Sequence, residues 1–113
     1  MFVGSSLGDL RGLPEDVKDE IGYALWLAQN GQTHHDAKPL SGFGGAGVLE
    51  IVESPQGETY RAVYTIRFPE AVYVLHVFKK KPTRGIATPK RHIDLIKQRL
   101  KAVDERRAKW RDR

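Results

Sequence analysis

Two apolar-rich runs separated by a single turn, "TYRAVYTIRF" (59–68) and "AVYVLHVF" (71–78), constrain this chain more than any other feature. The first alternates. Tyr60, Ala62, Tyr64, Ile66 and Phe68 fall on one face and Arg61, Val63, Thr65 and Arg67 on the other, as the two-residue period of a strand requires. The second is apolar on both faces, which predicts an interior strand covered from both sides. Pro69-Glu70 turns the chain between them. A third run, "GVLEIVE" (47–53), precedes them across the turn residues "SPQG", so the three form an antiparallel meander.

A sheet with two apolar faces needs helices, and the sequence supplies two. Pro14 at a first-turn position, with Glu15 and Asp16 behind it, opens a helix at its electropositive end. Val17, Ile21, Ala24, Leu25 and Ala28 then recur at helical spacing until Asn30-Gly31, giving about 16 residues. Thr88 as N-cap and Pro89 at the first helical position open a second helix over about 89–109. Its stripe is Ile93, Ile96, Leu100 and Val103, with Trp110 one heptad on. Met1–Val3 reads as the end of a short strand and Gly4–Ser6 as a turn. The expected fold is α+β. A small antiparallel sheet of three strands plus a short N-terminal strand remnant carries an N-terminal helix and a basic C-terminal helix, with residues 1–113 as one domain.

The connection "QTHHDAKPLSGFGGAG" (32–47) is polar and then glycine-rich. No strand precedes its glycines and no Lys-Ser/Thr follows, so a phosphate-binding P-loop is excluded and a flexible loop expected. His34, His35 and Asp36 are metal-ligand types, but neighbours in sequence rarely converge on one ion, and a surface loop is the expected reading. The chain has no cysteine, which removes disulfides, thiolate metal sites and a cysteine nucleophile. No cofactor and no metal are expected. No run approaches the roughly 20 apolar residues of a membrane span, and the N-terminus lacks the apolar segment of a signal peptide, so a cytoplasmic protein without membrane contact is expected.

The net charge of +5 conceals a polarised chain. Residues 1–75 hold five Lys/Arg against ten Asp/Glu, and residues 76–113 hold fourteen against four. The stretch "HVFKKKPTRGIATPKRH" (76–92) alone has six lysines and arginines and no acid. Such a region faces an acidic partner, most commonly nucleic acid.

Arg61 stands mid-strand between Tyr60 and Ala62, where an arginine must reach solvent, pair with an acid such as Glu50 or Glu53, or bind an anion. The hairpin register selects its companions. A two-residue loop puts Arg61 opposite Phe78, sharing a face with His76 and Lys80. A three-residue loop puts it opposite Lys79, beside Val77 and Lys81. Either register brings lysines of the "KKK" run to Arg61.

"AKPLSGFGGAGVLEI", "TYRAVYTIRF" and "AVYVLHVFKKKPTRGIATPKRHIDLIKQRL" together resemble the RelE/HigB superfamily of toxin–antitoxin toxins, nearest to its phage-derived HigB-like branch. The similarity runs over roughly residues 3–105, and "YRAVY" with "FKKKPTRGIATPK" is its most specific part. The resemblance implies a RelE-like fold and ribosome-dependent cleavage of mRNA. It also implies a cognate helix-turn-helix antitoxin that neutralises the toxin and joins it on operator DNA. Arg61 matches the strand arginine such toxins use on the scissile phosphate, and Lys81 a second basic position. Lys79 and Lys80 lie in the same run. Two departures stand out: the N-terminal strand is shorter than in related chains, and a long basic helix replaces the C-terminal tyrosine or histidine motifs of well-studied branches.

RNA supplies its own nucleophile, the 2′-hydroxyl, so such a toxin needs neither metal nor covalent residue. It must deprotonate that hydroxyl, stabilise the phosphorane and protonate the leaving 5′ oxygen. Arg61 suits the second task through its planar fork. A lysine among Lys79, Lys80 and Lys81, its neutral form favoured by like charges, suits the first. His92, or His76, is the candidate acid. Arg84, Lys90, Arg91, Lys97 and Arg99 are the expected contacts to RNA phosphates. The competing readings are a ParE-like gyrase poison without a nuclease centre, and a non-catalytic basic module that docks RNA or acidic protein.

Overall fold

The computed structural model describes residues 1–43, 47–80 and 88–111. Helices α1 (Ser6–Arg11) and α2 (Glu15–Gln29) precede strands β1 (Ala37–Pro39), β2 (Val48–Glu53), β3 (Thr59–Thr65) and β4 (Tyr73–Lys80), and α3 (Lys90–Arg111) closes the order. The strands form one antiparallel sheet in the order β1-β2-β3-β4. The α+β expectation therefore holds, with differences of detail. The fourth strand is β1, from the polar connection, and the expected turn after Val3 runs into the short helix α1.

Alternation along β3 sorts the core into two halves. Tyr60, Ala62 and Tyr64 join Val17, Ile21, Ala24 and Leu25 of α2 on one side of the sheet. Val63, Leu75 and Phe78 join Ile96, Leu100 and Val103 of α3 on the other. Ile96 is fully buried, and truncating such a side chain to alanine typically costs about 2–5 kcal/mol. Alternation ends with the strand at Thr65: Ile66 is exposed, and Phe68 belongs to the α3 side instead of following Tyr64. Neither the two-residue nor the three-residue loop forms: residues 66–72 connect the two strands. That connection is pinned under α3 by Arg107, which bonds Glu70 and lies 4.1 Å over the Phe68 ring.

Strand β4 was expected inside the sheet, yet it ends the strand order. Its apolar character on both faces has another cause. Both faces are covered by helices, and its outer edge at the N-terminal end is taken by the chain's first residues. Val3 N donates to Val74 O and Val74 N to Met1 O, so Met1–Val3 contributes one parallel bridge, Phe2 with Val74, and no full strand. Gly4 then turns at φ 58°, the left-handed region, and a Cβ there would lie 2.9 Å from the Arg99 guanidinium. Arg99 uses that space, donating to Leu75 O at 2.8 Å and to Ser5 Oγ at 3.2 Å.

One irregularity fixes what faces α3. Val63 pairs with His76 but Tyr64 with Val74, so Leu75 is an extra residue in β4. A bulge of this kind turns consecutive side chains toward one side. Leu75 packs in the α3-side core, and His76 also points to α3, where it meets His92 and Arg99.

Candidate active site

The α3-facing side of β2, β3 and β4 gathers the polar groups that an otherwise apolar sheet would exclude. Glu50 of β2, Arg61 of β3 and Lys80 of β4 are all buried there. Arg61 Nη1 lies 3.1 Å from Glu50 Oε2 and donates to Thr88 Oγ1 at 3.0 Å. The Thr88 hydroxyl in turn donates to Glu50 Oε2 at 3.2 Å. Thr88, expected as a helix cap, thus ties the entry of α3 to the ion pair. Arg61 stands opposite Phe78, the register that joins it with His76 and Lys80. Burial first, and the Arg61 charge second, draw the Lys80 ammonium below its ordinary range, while Glu50 opposes the shift.

Beside this cluster lies a ring stack. His92 lies against Phe78 with centroids 3.9 Å apart, and His76 lies 4.7 Å from the same ring. His76 Nε2 and His92 Nδ1 are 2.8 Å apart, and Arg99 Nη1 is 3.4 Å from His76 Nδ1. A guanidinium only donates, so His76 Nδ1 is the acceptor and its Nε2–H donates to His92. That assignment leaves the His92 proton on Nε2. Burial, then His92 and Arg99, push His76 down to about 4, and burial with Arg91 lowers His92. Both rings are neutral at pH 7.

The sequence-predicted residues therefore divide. Arg61, Lys80 and His92 converge. Lys79 does not: it lies on the other face of β4, exposed, with Nζ 2.6 Å from Glu58 Oε2, and that carboxylate raises its pKa. Period-two geometry separates adjacent lysines in this way, so Lys79 is removed from the Arg61 cluster. Lys81 and Arg84 lie outside the described residues. Lys90, Arg91 and Lys97 are exposed on α3, Lys97 over the Phe43 ring. Arg99 departs from the expected phosphate contact: it is half-buried, with its guanidinium committed to Leu75, Ser5 and His76. His34 also departs from the expected surface loop, being 1% exposed, whereas His35 and Asp36 are exposed.

Glu50, Thr88 and Phe78 were not sequence candidates for chemistry. Glu50 carried a legible signal, since an acid flanked by Leu49 and Ile51 in mid-strand poses the same problem as Arg61 and solves it by pairing.

No curated protein matched the chain in sequence comparison. A family model, Phage derived protein Gp49-like (DUF891), matches residues 8–101, which include α2, the whole sheet and the first half of α3. The chain belongs to this phage-derived Gp49-like family, a family of the RelE/HigB-like toxin type.

Proposed function

We propose that the chain is the toxin of a type II toxin–antitoxin system and cuts mRNA on the ribosome by metal-independent attack of the 2′-hydroxyl on the adjacent phosphate. The observation that carries this reading is the buried Glu50–Arg61–Thr88 cluster with Lys80 and the His76–His92 pair on the same sheet face. A guanidinium already engaged by a carboxylate and a hydroxyl is oriented for two phosphate oxygens, which replace those partners when substrate enters. Lys80, the described lysine of the "KKK" run whose charged form is disfavoured, accepts the 2′-hydroxyl proton. His92 donates a hydrogen bond from its neutral Nε2–H to the leaving 5′ oxygen and stabilises the charge developing there. That oxygen takes its proton from water, since a neutral imidazole does not release one. His76 fixes that tautomer, and Phe78 fixes the ring plane. Lys90, Arg91 and Lys97 on the exposed side of α3 hold ribosomal or messenger phosphates, contributing affinity without reading sequence.

The expected partners are ribosome-bound mRNA, a helix-turn-helix antitoxin, and operator DNA through the complex with that antitoxin. Primer extension on mRNA incubated with purified ribosomes and the chain tests the reading. Arg61→Lys, Lys80→Met and His92→Gln should each lower cleavage by about 100-fold or more while circular dichroism stays native. Full cleavage by folded Arg61→Lys would sink the assignment of Arg61. Absent cleavage by the native chain, together with inhibited gyrase supercoiling, would replace the nuclease with the gyrase-poison reading.

A further inference from the structure

Helix α2 packs Val17, Ile21, Ala24 and Leu25 against the sheet and leaves two large rings outside, Tyr23 at 49% and Trp26 at 56% exposure. They are stacked, 6.2 Å between centroids and 17° apart. Tyr23 then meets the buried His34 edge-on at 5.7 Å. This row ends among carboxylates: Glu20 Oε1 is 2.5 Å from His34 Nε2, and Glu53 lies close enough for Asp36 and Glu20 to raise its pKa further after burial has done so. Glu53 Oε1 is buried with no hydrogen-bond partner among the described residues.

Three ligand chemistries compete for such a place. Glu20, His34 and Glu53 are near enough to share a metal ion, but the histidine is in the wrong form. Asp36 N–H donates to His34 Nδ1 at 3.0 Å, so the ring proton sits on Nε2 and goes to Glu20. A metal at Nε2 would require that proton to leave while Nδ1 still accepts the amide. An RNA strand would suit the exposed rings, but α2 carries four acids against one lysine and repels phosphates. A cationic side chain meets both halves of the surface. Its charge lies over the Trp26 face, its aliphatic stem covers ring carbon, and its N–H groups reach the carboxylate oxygens.

We propose that the outer face of α2, with Tyr23, Trp26, Glu20 and Glu53 at its centre, is a docking surface for an arginine- or lysine-bearing segment of a partner protein. Charge complementarity selects that occupant, because a neutral apolar partner would bury the carboxylates without counter-charges. The surface lies across the sheet from the Arg61 cluster, whose covering helix α3 is basic. Protein and nucleic acid are thereby sorted to opposite sides of the molecule, and the proposal does not depend on the nuclease reading.

A short fluorescent peptide of alternating arginine and leucine, titrated by anisotropy against the purified chain, tests it. Saturable binding that weakens with salt is expected. Trp26→Ala alone, and Glu20→Gln with Glu53→Gln, should each reduce affinity about tenfold or more, while Arg61→Lys leaves it unchanged. Trp26 is exposed, so its loss spares the fold. Equal binding of the glutamate-for-arginine peptide, or affinity unmoved by both variants, overturns the proposal. So does a labelled single-stranded RNA whose binding falls with Trp26→Ala, or sedimentation showing a dimer that Trp26→Ala dissolves, which would make a second copy the occupant.

Discussion

Removing Glu50 should cost more stability than removing Glu50 and Arg61 together. Their side chains keep 8% and 5% of their exposure and stand 3.1 Å apart. At an effective dielectric of about 20, that separation corresponds to an attraction of ~5 kcal/mol. Most of it is cancelled by taking both charges out of water, so the pair is worth little relative to an apolar pair of the same volume. Stripping away one partner keeps the desolvation of the other and discards the compensation. Glu50→Leu and Arg61→Met are each expected to lose ~3–5 kcal/mol, and the double variant to return to within ~1–2 kcal/mol of the native chain. Lys80 reinforces this asymmetry. Arg61 opposes its charge and Glu50 supports it, so the double variant removes one of each. Urea unfolding followed by circular dichroism gives the four corners of the cycle. All three variants should fail to cleave mRNA, which separates stability from function. Additive losses in the double variant would refute the reasoning, because they would mean that the two groups stabilise the fold independently.

Two further outcomes are expected. His76 titrates at about 4 in the folded chain, against ~6.5 for an unperturbed histidine, so the unfolded state binds its proton first. Stability attributable to His76 is therefore complete above pH ~6.5, is lost as pH falls from there toward 4, and levels off below. Urea midpoints across that window should fall less steeply for His76→Gln than for the native chain, and identical slopes would remove His76 as the cause. Lys79→Ala should leave ribosome-dependent cleavage within about twofold of the native chain, whereas Lys80→Met abolishes it. Primer extension on the two variants side by side reads the difference, and equal loss would return Lys79 to the reacting centre.

Much of the frame was legible because it rests on local periodicity. Val17, Ile21, Ala24 and Leu25 at helical spacing, and the alternation of residues 60 to 65, predict the faces they occupy. What escaped is non-local. Lys38 occupies a strand because the β2 backbone beside it supplies hydrogen-bond partners, not because of its own neighbours in sequence. Burial of His34 depends on Glu20, fourteen residues away and on another element. Arg99 sits on the polar part of a helical pattern, yet Gly4 opens a space for it at the far end of the chain. Arg61 is the intermediate case. Its composition signal was strong, but its partners depended on a register that turn residues alone do not specify.

The bulge at Leu75 shows why that register mattered. Tyr73 and Val74 pair with Thr65 and Tyr64; continued without an extra residue, that register would put Val77 opposite Arg61 and His76 opposite Ala62. His76, Phe78 and Lys80 would then face α2, delivering a histidine and a lysine into the apolar cluster of Ile21, Ile51 and Tyr64. Val77 and Lys79 would face Arg61 instead. One inserted residue reverses that choice for the second half of β4. The apolar partners of α2 then come from Val72, Val74 and Val77, and the polar residues go to the side where Glu50, Arg61 and His92 compensate them. Core and candidate active site are thus two consequences of a single shift in pairing. Restoring a regular ladder would cost the apolar packing as well as the chemistry, which ties the irregularity to both.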